Sequence, residues 1–247
     1  MLTPVRRRSL SDSVFEQLRD QIVSGQLGPG TALPPERTLS EMLGVNRGAL
    51  REALKRLEQA QLVEVQHGGH TLVRDYLASG GLDLLSELLF EPNGEVRLHV
   101  AKSVIEMRSA LAPDLARLAA LRADEREKQA ILQIVLRMEN ADDDLATLQR
   151  LAMEFWSAVV EASDNVAYRL AYNTLGRTYG KIFELLTQVL AEELRDLAAY
   201  RAIAKAIEKG DTAKAERRAS ELVQKGGEKM LEVLEALEGL SPKGDRR

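Results

Sequence analysis

Three short segments near the start of the chain place apolar residues three or four positions apart, which is the spacing of one face of a helix. The apolar positions of these three predicted helices are, in chain order, Val14, Leu18, Ile22 and Val23; Leu39, Met42 and Leu43; and Leu50, Ala53, Leu54 and Leu57. Gly25 and Gly44 are stop signals after the first two helices, and Asn46 is a good N-cap for the third. Because only a short turn around Gly44 separates the last two helices, the pattern predicts a helix-turn-helix.

Two short runs rich in valine, LVEVQ and TLVRD, follow the third predicted helix. The residues between them, HGGH, include two glycines that tolerate the positive φ of a tight hairpin turn. The pattern therefore predicts two short strands paired as a hairpin. A helix-turn-helix followed by such a hairpin is a winged helix.

The rest of the chain keeps helical spacing, with breaks at EPNG, ASDN and EKGD, and no segment of it alternates as a strand does. About seven helices of this kind are enough for an antiparallel bundle. The predicted fold class is thus mostly α, a winged helix-turn-helix joined to an all-α antiparallel bundle. The predicted divisions are a winged helix at 1–75, a linker of small residues at 76–81, a helical effector-binding and dimerisation domain at 82–240, and a disordered tail at 241–247.

Composition narrows the functional classes. The 247 residues include no cysteine, which excludes disulfides, thiolate nucleophiles and cysteine zinc fingers. No apolar run is long enough to span a membrane and no signal peptide is recognisable, so we expect a cytoplasmic protein without a membrane partner. Residues 1–78 carry 10 Lys and Arg against 9 Asp and Glu, whereas residues 79–247 carry 24 against 29. The two halves therefore differ in electrostatic character.

Cations cluster on one side of the third predicted helix. Arg47, Arg51 and Lys55 project away from its apolar stripe, and Arg37 lies at the start of the preceding helix. Such a face presents cations to phosphates and guanidinium groups to guanine edges. Taken alone, it is equally typical of an ordinary solvated helix surface with glutamates nearby. The winged-helix context favours DNA binding.

The bundle holds fewer candidates for chemistry. Arg108 and two tyrosines, Tyr172 and Tyr179, fall within otherwise apolar helices. A buried arginine needs a partner, so Arg108 either faces an acidic ligand or pairs with Glu106 and solvent. No nucleophile and base stand together, and His99 is isolated, so we do not expect an enzyme.

The segment PGTALPPERTLSEMLGVNRGALREALKRLEQAQLVEVQHGGHTLV closely resembles the DNA-binding domain of the GntR superfamily of bacterial transcription regulators. The resemblance implies double-stranded operator DNA as a partner. Residues at matching DNA-contact positions are Arg37, Arg47 and Arg51, with Asn46, Gly48 and Ala49 at the start of the recognition helix and His67 and Gly68 at the wing tip. His67 and His70 have no third donor nearby in sequence, which disfavours the alternative that they bind a metal.

The helical remainder resembles the FadR branch of that superfamily. Many members of the branch bind a metal through an Asp and three His, and the matching positions here are Ala152, Trp156, Tyr200 and Leu222. These side chains cannot replace imidazole or carboxylate ligands, so we expect neither a metal nor another cofactor.

Within the branch, SGGLDLLSELL and ASDNVAYRLAYNTLGRTYGKIF are similar to the metal-free fatty acid regulators. That similarity implies a homodimer that releases its operator on binding a long-chain acyl-CoA or another acidic metabolite. The candidate ligand-binding residues are Arg108, Tyr172, Tyr179, Lys225, Gly226 and Gly227. Three alternatives stay open: the glycines only kink the last helix, the effector is a small organic or sugar acid anchored by Arg108, or the bundle serves only dimerisation.

Overall fold

A computed structural model of the chain describes residues 9–66, 70–91, 93–141 and 143–240. The side chains of residues 178, 179, 181 and 238–240 lie outside that description. The predicted wing-tip residues His67 and Gly68 and the predicted tail at 241–247 also lie outside the described residues. The chain divides into two compact units between Arg97 and Leu98.

The first unit contains the predicted winged helix-turn-helix. Its elements are α1 (Leu10–Val23), α2 (Glu36–Leu43), α3 (Arg47–Gln59), β1 (Val63–Val65) and β2 (Thr71–Val73). The two strands are antiparallel, with Val63 opposite Val73. Residues 30–33 run beside β2, because the Gly30 and Leu33 amides donate to carbonyl oxygens of that strand. The fold class predicted from the sequence is confirmed here.

Local capping fixes the ends of these helices. Ser9 and Asp12 form a capping box at the start of α1, and the Asn46 side chain accepts from the Ala49 amide at 2.9 Å to start α3. Gly44 ends α2 in the left-handed region, with a φ of 64°. Met42 departs from the predicted pattern, because it is 69% exposed on α2 and not part of the core.

The segment after the hairpin belongs to the first unit as far as Arg97. It forms α4 (Tyr76–Ser79), a 3₁₀ turn at Leu82–Leu84 and α5 (Leu85–Leu88). Leu84 joins the core of the winged helix, and Arg19 of α1 forms a salt bridge of 3.0 Å with Glu87. The compact division therefore falls after the linker that we predicted at 76–81, because the leucines of this segment pack on the first unit.

The second unit is entirely helical among the residues described from Leu98 onwards. Its helices are α6 (Leu98–Arg122), α7 (Glu125–Glu139), α8 (Leu145–Ala162), α9 (Val166–Lys181), α10 (Phe183–Val189), α11 (Ala191–Arg195), α12 (Leu197–Glu208) and α13 (Thr212–Leu240). The helical pattern after the ASDN break continues without interruption in the sequence from Val166 to Glu193, but the structure divides it at Ile182 and Leu190. Neither residue is a glycine or proline that could have marked the break.

Large side chains fill the centre of this bundle. α6 packs along α13, while α7 packs against α8 and α12. Phe155 lies edge-on to both Trp156 and Tyr200, with ring centroids 5.5 and 5.1 Å apart. In the part of the chain that the structure describes, no helix is long and apolar enough to cross a membrane.

The turn at Gly44 allows a test of the helix-turn-helix geometry. We expect Gly44→Ala to destabilise the first unit by about 1–2 kcal/mol, because an L-residue is strained in the left-handed region. Gly28→Ala is the matched control, since a Cβ at Gly28 would meet no atom within 4 Å and its φ is not positive. Hydrogen exchange of the α3 amides measures the effect. Equal protection of α3 in both variants would show that Gly44 imposes no such constraint.

Candidate nucleic-acid interface and effector cavity

One side of α3 is a cationic surface, as predicted. Arg47, Arg51 and Lys55 lie on successive turns and are exposed, whereas Leu50 and Leu57 on the other side are buried in the core. Residues four apart share one face of a helix. The three cations therefore form a row along the exposed face of α3.

Two arginines near this row hold exposed acidic partners. Nε of Arg51 lies 2.8 Å from a Glu36 oxygen, and Nε of Arg37 lies 3.2 Å from a Glu41 oxygen. The arginine side chains are 67% and 77% exposed, so each pair contributes little to stability. Among the described residues, Arg47 has no such ion pair. Each of these guanidinium groups can therefore turn to a phosphate at small cost.

The start of α3 places small groups beside these cations. Asn46 uses its side-chain oxygen to cap the helix, and Gly48 is exposed, while Ala49 is half-buried. Because Gly48 has no side chain, the backbone at this position can approach a groove of DNA closely. On the hairpin, the Gln66 amide donates to the His70 carbonyl at 2.8 Å, and the His70 side chain is exposed.

The second unit encloses a cavity of about 70 Å³ between its helices. Most of its wall is apolar, and its residues come from α6, α8, α9, α11 and α12 and from the junction at Leu190. The lining includes Ala152, Trp156 and Tyr200, three of the four positions at which the resemblance implies metal ligands in other members. No cluster of three or more His, Cys, Asp or Glu occurs among the residues that the structure describes.

Four residues that line the cavity each carry one buried polar atom without a hydrogen-bond partner among the described residues. The atoms are Oε1 of Gln149, Nε1 of Trp156, Oε2 of Glu193 and the hydroxyl of Tyr200. Leaving a buried donor or acceptor unpaired costs about 1–3 kcal/mol. All four residues line the same cavity, although Oε2 of Glu193 lies against Gly226 of α13, which does not line it. A molecule bound in the cavity could supply partners to the atoms that face it.

Arg108 is buried at the cavity and already has a carboxylate partner. Its guanidinium donates to Oε1 of Glu193 and, at 3.3 Å, to the carbonyl of Val223 on α13. Burial raises the pKa of Glu193, and the charge and hydrogen bond of Arg108 oppose that rise. Arg108 therefore does not pair with Glu106 and solvent, which was one of the two alternatives left by the sequence.

Burial also raises the pKa of Tyr200 well above its ordinary value, and the nearby Glu193 carboxylate adds to the rise. Tyr200 is thus a neutral hydroxyl able to donate or accept. Tyr172, which we predicted as a ligand contact, lines the cavity, and its hydroxyl donates to the Met153 carbonyl at 2.7 Å. Tyr179 lies in α9, but its side chain is outside the description.

The predicted ligand segment on α13 lies close to the ion pair. A Cβ at Gly226 would clash with the Glu193 carboxylate, and a Cβ at Gly227 would lie 3.2 Å from Oγ of Ser109 on α6. Lys225 is exposed and lies 3.6 Å from a carboxylate oxygen of Asp196. The two glycines lie within α13 and allow close helix packing, so their part in ligand binding stays a prediction.

The sequence did not single out Gln149 and Glu193 as site residues. Gln149 stands beside Leu148 in an apolar helix, and Glu193 follows another glutamate in a short helix. A polar or charged residue inside an apolar pattern is the one signal that could have found them, and the same signal identified Arg108. Without the packing of α6 against α11, that signal does not identify the partner.

Comparison with known proteins establishes the class. Residues 10–73 match the model for bacterial regulatory proteins of the gntR family, and residues 103–225 match the FCD domain. The chain belongs to the gntR family of bacterial regulatory proteins, which are ligand-responsive transcriptional regulators that bind operator DNA. The relatives described next are also transcriptional regulators, which confirms the expectation that the protein is a regulator and not an enzyme.

Two curated relatives and one solved structure place the chain more closely. It is 41% identical to the transcriptional regulator Mce2R of Mycobacterium tuberculosis, over 94% of this chain and 96% of that protein. It is 28% identical to the fatty acid metabolism regulator protein of Yersinia enterocolitica, over 72% of each chain. The structure of Lar, which controls the Listeria monocytogenes agr system, shares the fold with a TM-score of 0.56 at 15% identity, over 93% of this chain and 100% of that one. The prediction of a FadR-like regulator agrees with these relatives.

Replacement of Arg47 tests the cationic row on α3. We expect Arg47→Ala to weaken binding to operator DNA about tenfold and to reduce the slope of log affinity against log salt by about one, because one phosphate contact is lost. Arg117→Ala, which removes an arginine of α6 that pairs with Asp114, is the control. Fluorescence anisotropy at several salt concentrations gives both quantities. An unchanged slope for Arg47→Ala would place that side chain away from the DNA.

The buried ion pair gives a pH-dependent prediction. Arg108→Met leaves Glu193 buried without its counter-charge, which we expect to destabilise the second unit by about 3–5 kcal/mol near neutral pH. The pKa of Glu193, already raised, rises further, so the folded state holds a proton that the unfolded chain releases above the ordinary value of 4.5. The loss of stability caused by Arg108→Met should therefore grow as the pH rises from about 5 to 8.

Urea unfolding followed by the fluorescence of Trp156 measures that loss in the second unit. The double variant Arg108→Met/Glu193→Gln is the control, because it removes both charges and should recover most of the stability at high pH. A loss of stability that does not depend on pH would show that the buried Glu193 carboxyl does not cause it.

Proposed function

We propose that this protein is a homodimeric, cytoplasmic repressor that releases its operator when a small, partly apolar organic acid occupies the cavity beside Arg108. The observation that carries this proposal is that Gln149, Trp156 and Tyr200, each with an unpartnered buried polar atom, line one largely apolar cavity together with Arg108. A ligand with a polar head and an apolar body supplies the missing hydrogen bonds and covers the apolar wall. No protein group described at the cavity supplies those bonds.

The wall has both kinds of hydrogen-bonding atom that an acid group needs. The Trp156 indole and the Tyr200 hydroxyl can donate to a carboxylate, and Arg108 lies on the same wall. The side-chain oxygen of Gln149 is an acceptor without a partner, which suits a hydroxyl or a protonated carboxyl. A 2-hydroxy acid or a short fatty acid would use both kinds.

A long-chain acyl-CoA is the second candidate effector. The fatty acid metabolism regulator of Yersinia enterocolitica, with which the chain aligns over 72% of its length, favours it. Ligand cavities typically measure about 300–1,000 Å³, far more than the roughly 70 Å³ found here. A long acyl chain would therefore require the helices around the cavity to separate, whereas a small acid would not.

The proposed mechanism is a shift between two states of the regulator. An effector that weakens operator affinity about 100-fold must bind the released state more tightly by about 3 kcal/mol. An effector that supplies partners to several buried polar atoms can provide that difference, since each such hydrogen bond contributes about 0.5–1.5 kcal/mol.

Trp156 is the single tryptophan of the chain, so its fluorescence reports the cavity directly. We expect short-chain and hydroxylated acids to change this fluorescence at the same concentrations that release promoter DNA. The Tyr200→Phe variant should fold normally, because the hydroxyl has no partner among the described residues. Its affinity for the acid should be about 3- to 10-fold lower than that of the wild type. Tyr76→Phe, which removes a tyrosine hydroxyl from the first unit, is the matched control.

The outcomes separate the candidates. Release by acyl-CoA with no response to small acids would replace the small acid with the acyl-CoA as effector. Release of DNA by an acid that leaves the fluorescence of Trp156 unchanged, with Tyr200→Phe equal to the wild type, would place the effector outside this cavity.

A further inference from the structure

A second concave surface in the helical unit carries an unusual concentration of positive charge. It is a groove of about 300 Å³ between α12 and the start of α13. Its charged lining residues are Arg201, Lys205, Lys209, Lys214 and Arg218, with Asp211 as the single acid. Residues 79–247 as a whole carry 24 basic against 29 acidic residues, so this groove has the opposite sign to the segment that forms it.

The positions of these cations follow from helix geometry. Arg201, Lys205 and Lys209 are four residues apart along α12 and its C-terminal end, and Lys214 and Arg218 are four apart on α13. Like charges at this spacing destabilise a helix by roughly 0.2–0.5 kcal/mol per pair. Both rows line the same groove, where their repulsion adds. An anionic occupant would turn this repulsion into attraction.

Internal acids leave much of this charge unpaired. Arg201 pairs with Glu139, and Arg218 pairs with Glu221 at 2.7 Å. The Asp211 carboxylate accepts from the Lys214 amide at the start of α13. In the described ranges, no ion pair is found for the three lysines of the groove.

Arg218 is the arginine on the α13 side of the groove. Nε of Arg218 is buried and has no hydrogen-bond acceptor among the described residues, although another nitrogen of this guanidinium donates to Glu221. The side chain as a whole is 42% exposed, so the rest of its guanidinium is accessible to an anion in the groove. Three alanines line the rest of the groove, so no large side chain blocks the approach to the helices.

We propose that the groove between α12 and α13 binds a small molecule bearing two or more phosphate groups, at a site separate from the Arg108 cavity. A phosphate presents three acceptor oxygens and more than one negative charge, which suits a group of lysines around an arginine better than a single carboxylate does. The first turn of α13 adds the positive end of a long helix. This site does not depend on the identity of the effector in the cavity.

Isothermal titration calorimetry of the full chain with inorganic pyrophosphate tests the site. We expect one pyrophosphate to bind per chain in the millimolar range or tighter, with a nucleoside diphosphate in a parallel titration to show whether a larger phosphate ester also fits. Sodium sulfate at equal ionic strength corrects for general screening. The variant Lys205→Gln/Lys209→Gln should bind pyrophosphate about tenfold more weakly, because two cations are lost from an exposed site.

The control variant Arg126→Gln/Arg137→Gln removes the same charge from α7 and should bind as the wild type does. Circular dichroism verifies that both variants fold. Absence of pyrophosphate binding, or equal weakening in both variants, would overturn the proposal. So would a result in which the groove variant loses affinity only for duplex DNA, since the groove would then belong to a nucleic-acid surface.

Discussion

The buried contact between Arg108 and Glu193 is the constraint on which the helical unit depends. It joins α6 to α11, and through the Val223 carbonyl it also joins α6 to α13. Two charges taken out of water stabilise a fold only when their geometry satisfies both. Here one carboxylate oxygen, Oε2, has no partner among the described residues and lies against Gly226 of α13. Arg108 and Glu193 both line the cavity, so the contact that joins three helices lies beside the proposed effector site.

The winged helix uses charge in the opposite way. Arg37, Arg47 and Arg51 are exposed, and the partners of Arg37 and Arg51 are glutamates on α2. Exposed pairs of this kind are weak and are screened by salt. These glutamates orient the arginine side chains only weakly, so phosphate groups can replace them as partners. Burial thus separates the two kinds of site in this protein: pairs that maintain structure are buried, and pairs that can be exchanged are exposed.

Much of the fold could be predicted because it rests on local signals. The helix-turn-helix follows from the spacing of Leu50, Leu54 and Leu57 and from the glycine and asparagine that flank the turn. The breaks near Ile182 and Leu190 carry no such signal and depend on packing between distant helices. The same difference applies to the sites. The row of cations on α3 is visible in the sequence, whereas Glu193 becomes a site residue only when α11 brings it to Arg108, which lies 85 positions away in the sequence.

Gly226 shows how far this dependence extends. The Glu193 carboxylate occupies the space that any side chain at residue 226 would need. Descendants of this chain can gain a larger residue at 226 only after the acid at 193 has become shorter or has turned away. The two positions are therefore expected to vary together as the protein diverges. A lineage that loses the acid also loses the carboxylate that Arg108 holds between α6 and α11.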